Sequence, residues 1–158
     1  MSSLPTEALL SDLMTIALEE AAAALAHDDV PVGAVVARIA DGVVIASAHN
    51  EKELRGDPTA HAEVLALRSA SQVVGGWRLD GHALVSTIEP CPMCAGALWA
   101  ARVRRLVFGA PNLEAGAAGS LYNLGADPRL NHEFEVVSGV RAEDCAALVA
   151  DFFAVRRG

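Results

Sequence analysis

The stretch Glu89-Pro90-Cys91-Pro92-Met93-Cys94, EPCPMC, puts two of the chain's three cysteines within one helical turn. On its N-terminal side "HALVST", residues 82–87, reads as a short buried strand. On its C-terminal side "PMCAGALWAA", residues 92–101, reads as a helix. Cys91 and Cys94 are three apart, so at a helix start their sulfurs face one point. Pro92 suits the first helical turn, where a missing N–H costs nothing. Pro90 keeps the residue before it extended, so the strand runs cleanly into the turn. The helix dipole and the free N–H groups there favour thiolates. Three cysteines, an odd number, argue against a disulfide framework and leave metal binding or redox chemistry.

The partner stretch is His61-Ala62-Glu63, also at the start of a predicted helix. Residues two apart do not share a helix face, so His61 and Glu63 converge only on something beyond the helix end. Two helix N-termini aimed at one centre follow. His61, Cys91 and Cys94 are a ligand set suited to zinc. Three protein ligands leave a fourth position for water, the pattern of a catalytic site, and water there gives up a proton near neutral pH. Glu63 then stands beside the metal as proton carrier, not as ligand. A thioredoxin-like redox pair has no use for a His-x-Glu upstream, and a structural zinc wants a fourth Cys or His nearby. Cys145 lies on an apolar stripe and reads as a core cysteine. His27, His49, His82 and His132 fall at predicted loops or element ends and read as surface or capping residues.

Working outward, Leu9, Leu10, Leu13, Met14, Ala17, Leu18, Ala21 and Leu25 recur at helical spacing and predict a first helix over residues 6–27. "PVGAVVARI" from Pro31 and "VVIASAHN" read as two strands joined at the hairpin signal Asp41-Gly42. Asp57-Pro58-Thr59 closes a loop, with Thr59 as expected N-cap of the helix that carries His61. "RRLVFGA" and "FEVVSGV" read as later strands, separated by a Gly-rich loop and a short helical piece. Cys145, Leu148, Val149, Phe152 and Phe153 give a closing helix its apolar stripe. Hairpin, helix, strand, helix, strand predicts an α/β fold: a three-layer α/β/α sandwich around a five-stranded mixed sheet, helices on both faces. Strand–helix–strand steps make the later strands parallel. A chain of 158 residues with no repeat or linker fits a single domain over residues 1–158.

Apolar residues make up 53% of the chain, which excludes a disordered protein. No apolar run is long enough to span a membrane. Residues 1–6 are short and polar and lack a basic stretch followed by an apolar one, so no secretory signal and a reducing, cytoplasmic location are expected. The net charge of −8 counts against a long phosphate-tracking groove, since nucleic-acid binders are usually basic. Small basic patches remain: Lys52 with Arg55, Arg102 with Arg104 and Arg105, and Arg156 with Arg157. Any of them can equally be solvated surface charge.

H-x-E followed by P-C-x-x-C is the established signature of zinc nucleobase deaminases, with the metal and proton-carrier roles divided as above. The likeness runs further. "VPVGAVV", His49-Asn50, "DPTAHAE", "EPCPMCAGAL", "VFGAPNLEAGAAGSL", Asn131-His132 and "DFF" at residues 151–153 occur in the order of the bacterial tRNA-specific adenosine deaminases, which the chain resembles over nearly its whole length. "GAAGSL" followed by Asn131-His132 separates that family from the cytosine and guanine deaminases that share the cysteine motif. The resemblance implies a cytidine deaminase-like fold and one Zn2+ per chain. It implies a homodimer and, as partner, a tRNA anticodon arm with the target base turned into the pocket. It implies conversion of adenosine to inosine at the wobble position, with Glu63 moving the proton. Asn50 and the backbone around Ala62 would hold the base, and Asn112, Asn131 and His132 would contact the substrate. Deamination of free guanine or cytosine, or of a nucleoside, is the alternative; a zinc-stabilised interaction module is the reading from outside enzymology. The family commonly has Asp where Asn112 stands, which puts strict preference for RNA in doubt.

Overall fold

The computed structural model describes residues 5–157, so the N-terminal residues 1–4 behind the expected absence of a signal lie outside the described residues. The first helix, α1 (Glu7–Ala23), starts at Thr6, whose Oγ1 accepts the Leu9 N–H at 3.1 Å. Leu10, Leu13, Met14, Ala17 and Ala21 form its buried stripe. The expected helix to residue 27 tightens at its end into a 3-10 turn (Ala24–His27), closed by Asp28 in the left-handed region at φ 60°.

Strands β1 (Gly33–Arg38) and β2 (Val44–His49) form the expected hairpin, with Gly42 at φ 72° in its turn. Between β2 and the next long helix lies a single helical turn, α2 (Lys52–Arg55), which the sequence pattern does not reveal. Helix α3 (Ala62–Val74) leads to β3 (His82–Ile88), α4 (Pro92–Ala100), β4 (Arg105–Ala110), β5 (Glu135–Val137) and α5 (Ala142–Arg157). The sheet order is β2-β1-β3-β4-β5. β1 runs antiparallel to both neighbours, and β3, β4 and β5 are parallel, as expected.

Burial alternates along the central strands and sorts the core into two layers. Ala34, Val36, Leu84 and Leu106 pack with α3 and α4 residues such as Ala66, Ala70 and Leu98. Val35, Ala37, Val85 and Val107 face the other way, onto Leu13, Met14 and Ala17 of α1 and Cys145 of α5. The α/β/α sandwich is therefore as the patterning predicts. Gly33 marks its tightest point: a Cβ there would stand 1.9 Å from the Ala17 carbonyl oxygen, so α1 lies directly on the β1 backbone.

One local expectation is corrected, and two readings left open by the sequence are decided. Thr59 does not cap α3. Its N–H and hydroxyl both donate to Asp57 Oδ1 at 2.8 Å, which closes the loop two residues early, and His61 takes the N-cap position. Arg105 is not a solvated charge: it is 3% exposed, and its Nε donates to Glu135 Oε2 at 3.0 Å across the β4–β5 pair. Arg102 sits at φ 60° with its Nη1 on the Trp99 carbonyl at 2.7 Å, finishing α4, and its guanidinium lies over the Trp99 ring. Cys145 is buried as expected, its sulfur filling the space beside Gly109. Among the described residues no helix is long and apolar enough to cross a membrane.

Candidate active site

The N-termini of α3 and α4 meet at one end of the parallel strands. His61 and Cys91 are the two N-cap residues, both extended, at φ −74° ψ 149° and φ −72° ψ 174°. Neither helix start has a side-chain capping hydrogen bond. Pro92 opens α4, as its fixed φ favours, and the next turn brings Cys94 under Cys91.

His61 Nδ1 lies 3.7 Å from Cys91 Sγ and 3.5 Å from Cys94 Sγ. All three donor atoms fall within 4.8 Å of one another, the one such metal-competent group among the described residues. Ligands at ordinary zinc distances on a tetrahedral ion stand about 3.6 Å apart for a sulfur–nitrogen pair. The donor set therefore fits zinc in type and in spacing. The group offers three donors, so an ion held by it would have a fourth position left for water.

The donors also have the right protonation tendencies. A hydrogen bond from the Cys94 thiol holds the Cys91 pKa down; burial opposes this and His61 adds to it, for a value of about 4. Cys94 is pushed the other way by that same bond and by burial, so in the metal-free pair it keeps the proton. His61 is raised chiefly by its contact with Cys91. Metal binding displaces those protons, since ligation needs thiolates and a neutral imidazole.

Glu63, one residue into α3, is 4% exposed, and burial raises its pKa. A carboxyl whose burial favours the protonated form, beside a metal-competent group, is suited to taking up a proton and giving it back. The open cavity in front, about 200 Å³, is lined by Asn50, Lys52, Ala62, Glu63, Glu89 and Asn112 along with His61 and Cys91. Asn50 is 8% exposed; its Nδ2 donates to the Val30 carbonyl at 3.2 Å and its Oδ1 accepts the Lys52 N–H at 3.1 Å. One amide hydrogen and one lone pair stay free for a ligand. Asn112 Oδ1 accepts the Glu114 and Ala115 N–H groups at 3.2 and 3.0 Å, which leaves its Nδ2 as the free polar end.

Asn131 and His132 are not brought to this cavity. Asn131 is exposed, and His132 Nε2 bonds the Val103 carbonyl at 2.7 Å, fixing the loop before β5. Two carboxylates that line or support the site escape the sequence pattern. Glu89 is 2% exposed and Asp29 is 1% exposed; the latter accepts the Glu53 and Leu54 N–H groups at 2.6 and 3.1 Å and so holds α2 and the Asn50 loop. Burial works against ionisation of both, but backbone and side-chain hydrogen bonds outweigh it and lower both pKa values. The backbone N–H groups that bond them are distant in sequence, though Asp29 also meets the nearby His27 Nδ1 at 2.6 Å.

The profile of the cytidine and deoxycytidylate deaminase zinc-binding region matches residues 8–110. A tRNA-specific adenosine deaminase of Bacillus subtilis is 45% identical over 140 residues, covering 89% of this chain and 86% of that protein. The chain belongs to the tRNA-specific adenosine deaminase family, within the zinc-binding deaminases. A solved structure from work on A-to-I editing by tRNA:A34 deaminases superposes on this deaminase with a TM-score of 0.83 at 40% identity, covering 87% of this chain and 99% of the other. The guanine deaminase of Nitrosomonas europaea is more distant, at TM-score 0.73 and 28% identity, covering 98% of this chain and 87% of the other. Both the fold and the zinc-binding character expected from the sequence are thereby established.

Proposed function

We propose that this chain is a zinc-dependent hydrolytic deaminase that converts adenosine to inosine at the wobble position of a tRNA anticodon, acting on the anticodon arm. The observation that carries the chemistry is the group His61, Cys91 and Cys94, donor atoms within 4.8 Å of one another, with Glu63 buried beside it. The tRNA substrate rests on relatives named tRNA-specific adenosine deaminase at 40–45% identity, and the wobble position on the solved structure from work on A-to-I editing there.

His61 Nδ1 and the two cysteine sulfurs would hold the ion, whose chemistry is to polarise water and lower its pKa toward neutrality. Glu63 would carry one proton of the attacking water to the adenine ring nitrogen, where it stays, and then the remaining hydroxyl proton from the oxygen on C6 to the departing amine. A C6–O bond forms, the C6–N bond breaks, and ammonia leaves. Asn50 and the backbone around Ala62 hold the base in the cavity, Asn50 through the amide hydrogen and lone pair left free. The buried floor keeps bulk water from competing for the proton. Asn112 stands at the cavity wall with only donor hydrogens to offer. Asn131 and His132 belong to the same proposal only as loop residues, since His132 is bonded to Val103.

The test is inosine formation on an anticodon stem-loop with adenosine at the wobble site, against free guanine, cytosine and adenosine. Turnover of the hairpin alone is expected. Preferential turnover of a free base would move the assignment to that alternative. The same assay gauges Asn112. An Asp keeps both acceptor bonds to the loop but adds charge and an acceptor toward a ribose hydroxyl. Asn112→Asp is expected to raise the RNA-over-DNA ratio of kcat/KM about tenfold, as a charge-assisted hydrogen bond does. An unchanged ratio removes Asn112 from discrimination.

We further propose that residues 1–158 act as one domain, that the enzyme is cytoplasmic, and that it pairs with a second copy. The exposed Val73, Val74 and Trp77 at the end of α3 offer apolar surface for such a pairing. A solution mass of one 16.4 kDa chain, measured by light scattering, would rule the dimer out.

A further inference from the structure

One side chain organises the loop that follows β4. Glu89 closes β3 and is 2% exposed, yet its carboxylate accepts four hydrogen bonds from a segment far along the chain. Oε1 takes the Asn112 N–H at 3.1 Å and the Ser120 hydroxyl at 2.5 Å. Oε2 takes the Ala118 and Ser120 N–H groups, both at 3.0 Å. The backbone repeats the connection: the Glu89 N–H donates to the Ala110 carbonyl and the Ala117 N–H to the Pro90 carbonyl, both at 2.9 Å. Gly116 lies so close that a Cβ there would stand 2.5 Å from Glu89 Oε2 and 2.4 Å from the Asn112 carbonyl oxygen. The loop is folded around the carboxylate: the Asn112, Ala118 and Ser120 N–H groups go to Glu89, while those of Glu114, Ala115 and Gly116 turn back onto Asn112.

Two residues after Glu89 is Cys91, a zinc-ligand candidate. At the other end of these bonds is Asn112, in the cavity wall. We propose that Glu89 is a positioning residue: its carboxylate ties the 112–120 loop to the cysteine-bearing turn and so sets where Asn112 meets the substrate. The proposal rests on the functional reading above for its substrate, but not for its anchoring geometry. Glu89 acts on recognition and leaves the proton transfer to Glu63.

The test uses the full-length, zinc-loaded protein. Glu89→Gln keeps the size of the side chain but aims amide hydrogens at N–H donors. Its KM for the anticodon hairpin is expected to rise at least tenfold, with kcat within about threefold of wild type and zinc content unchanged. Amide exchange of residues 112–120 is expected to accelerate, while that of α1 and β1 does not. Ser120→Ala removes one donor at an exposed position and leaves the fold intact; a KM rise of about threefold is expected, in line with a single hydrogen bond. Unchanged KM and unchanged loop exchange in a folded Glu89→Gln protein would overturn the proposal. So would a loss of kcat in step with zinc content. If Glu89→Gln does not fold, Ser120→Ala decides, and an unchanged KM and exchange rate there overturns it. Exchange needs no substrate, so wild-type protein inactive on the hairpin would defeat the functional reading while the anchoring is still measured.

Discussion

Glu63→Gln is expected to lower kcat on the anticodon hairpin by about 10³-fold or more, with zinc content and melting temperature close to wild type. A positioned general acid–base contributes about 10²–10⁴ in rate, and in the proposed reaction one carboxylate serves two proton transfers in sequence. Glutamine fits the same space in the first turn of α3 and can still accept a hydrogen bond, but it cannot take up a proton. Because burial already raises the Glu63 pKa, a neutral amide there resembles the protonated form, so the fold has little to lose. A variant that loses zinc together with turnover would make Glu63 a structural prop. A variant with full turnover would exclude it from the reaction.

Metal removal is expected to have the second large effect. His61→Ala, or chelation of the wild type, should abolish turnover, since three ligands leave no redundancy. The state of the site can be read without activity. In the metal-free protein Cys91 has a pKa of about 4, set first by the hydrogen bond from Cys94 and then, against burial, by His61. It is therefore a thiolate at pH 6, where an ordinary cysteine is a thiol. Rapid alkylation of Cys91 by iodoacetamide is expected at pH 6 after chelation, falling as the pH drops through 4, and near-complete protection once zinc is restored. Equal alkylation with and without zinc would show that Cys91 is not a ligand. Stoichiometric zinc in His61→Ala would say the same of the histidine.

The site was legible in the sequence because its chemistry is local. Cys91 and Cys94 declare their shared direction by spacing, and Pro92 marks the helix start that orients them. His61 and Glu63 could not share a helix face, so their convergence had to lie beyond the helix end, where His61 is indeed the N-cap. The layers were legible for a similar reason: Val35 and Val36 point to opposite cores, and the alternation is written residue by residue. What could not be read depends on partners distant along the chain. Thr59 looks like a cap until Asp57 claims both its donors. Arg105 looks solvated until β5, thirty residues later, supplies Glu135. Glu89 looks like a strand end until a loop returns to fold around it. His132 carries a family resemblance but bonds the Val103 carbonyl, a contact no spacing rule contains.

The two N-cap positions have a consequence for the protein's life in a cell. Ordinary helices close their first turn with a Ser, Thr, Asp or Asn, worth about 1 kcal/mol each; α3 and α4 place His61 and Cys91 there instead and go without. Starved of its ion, such a chain would be left with two frayed ends at the mouth of its own catalytic hollow. Scarcity of one nutrient would then thin the population by proteolysis as well as silencing it, making abundance itself a gauge of supply.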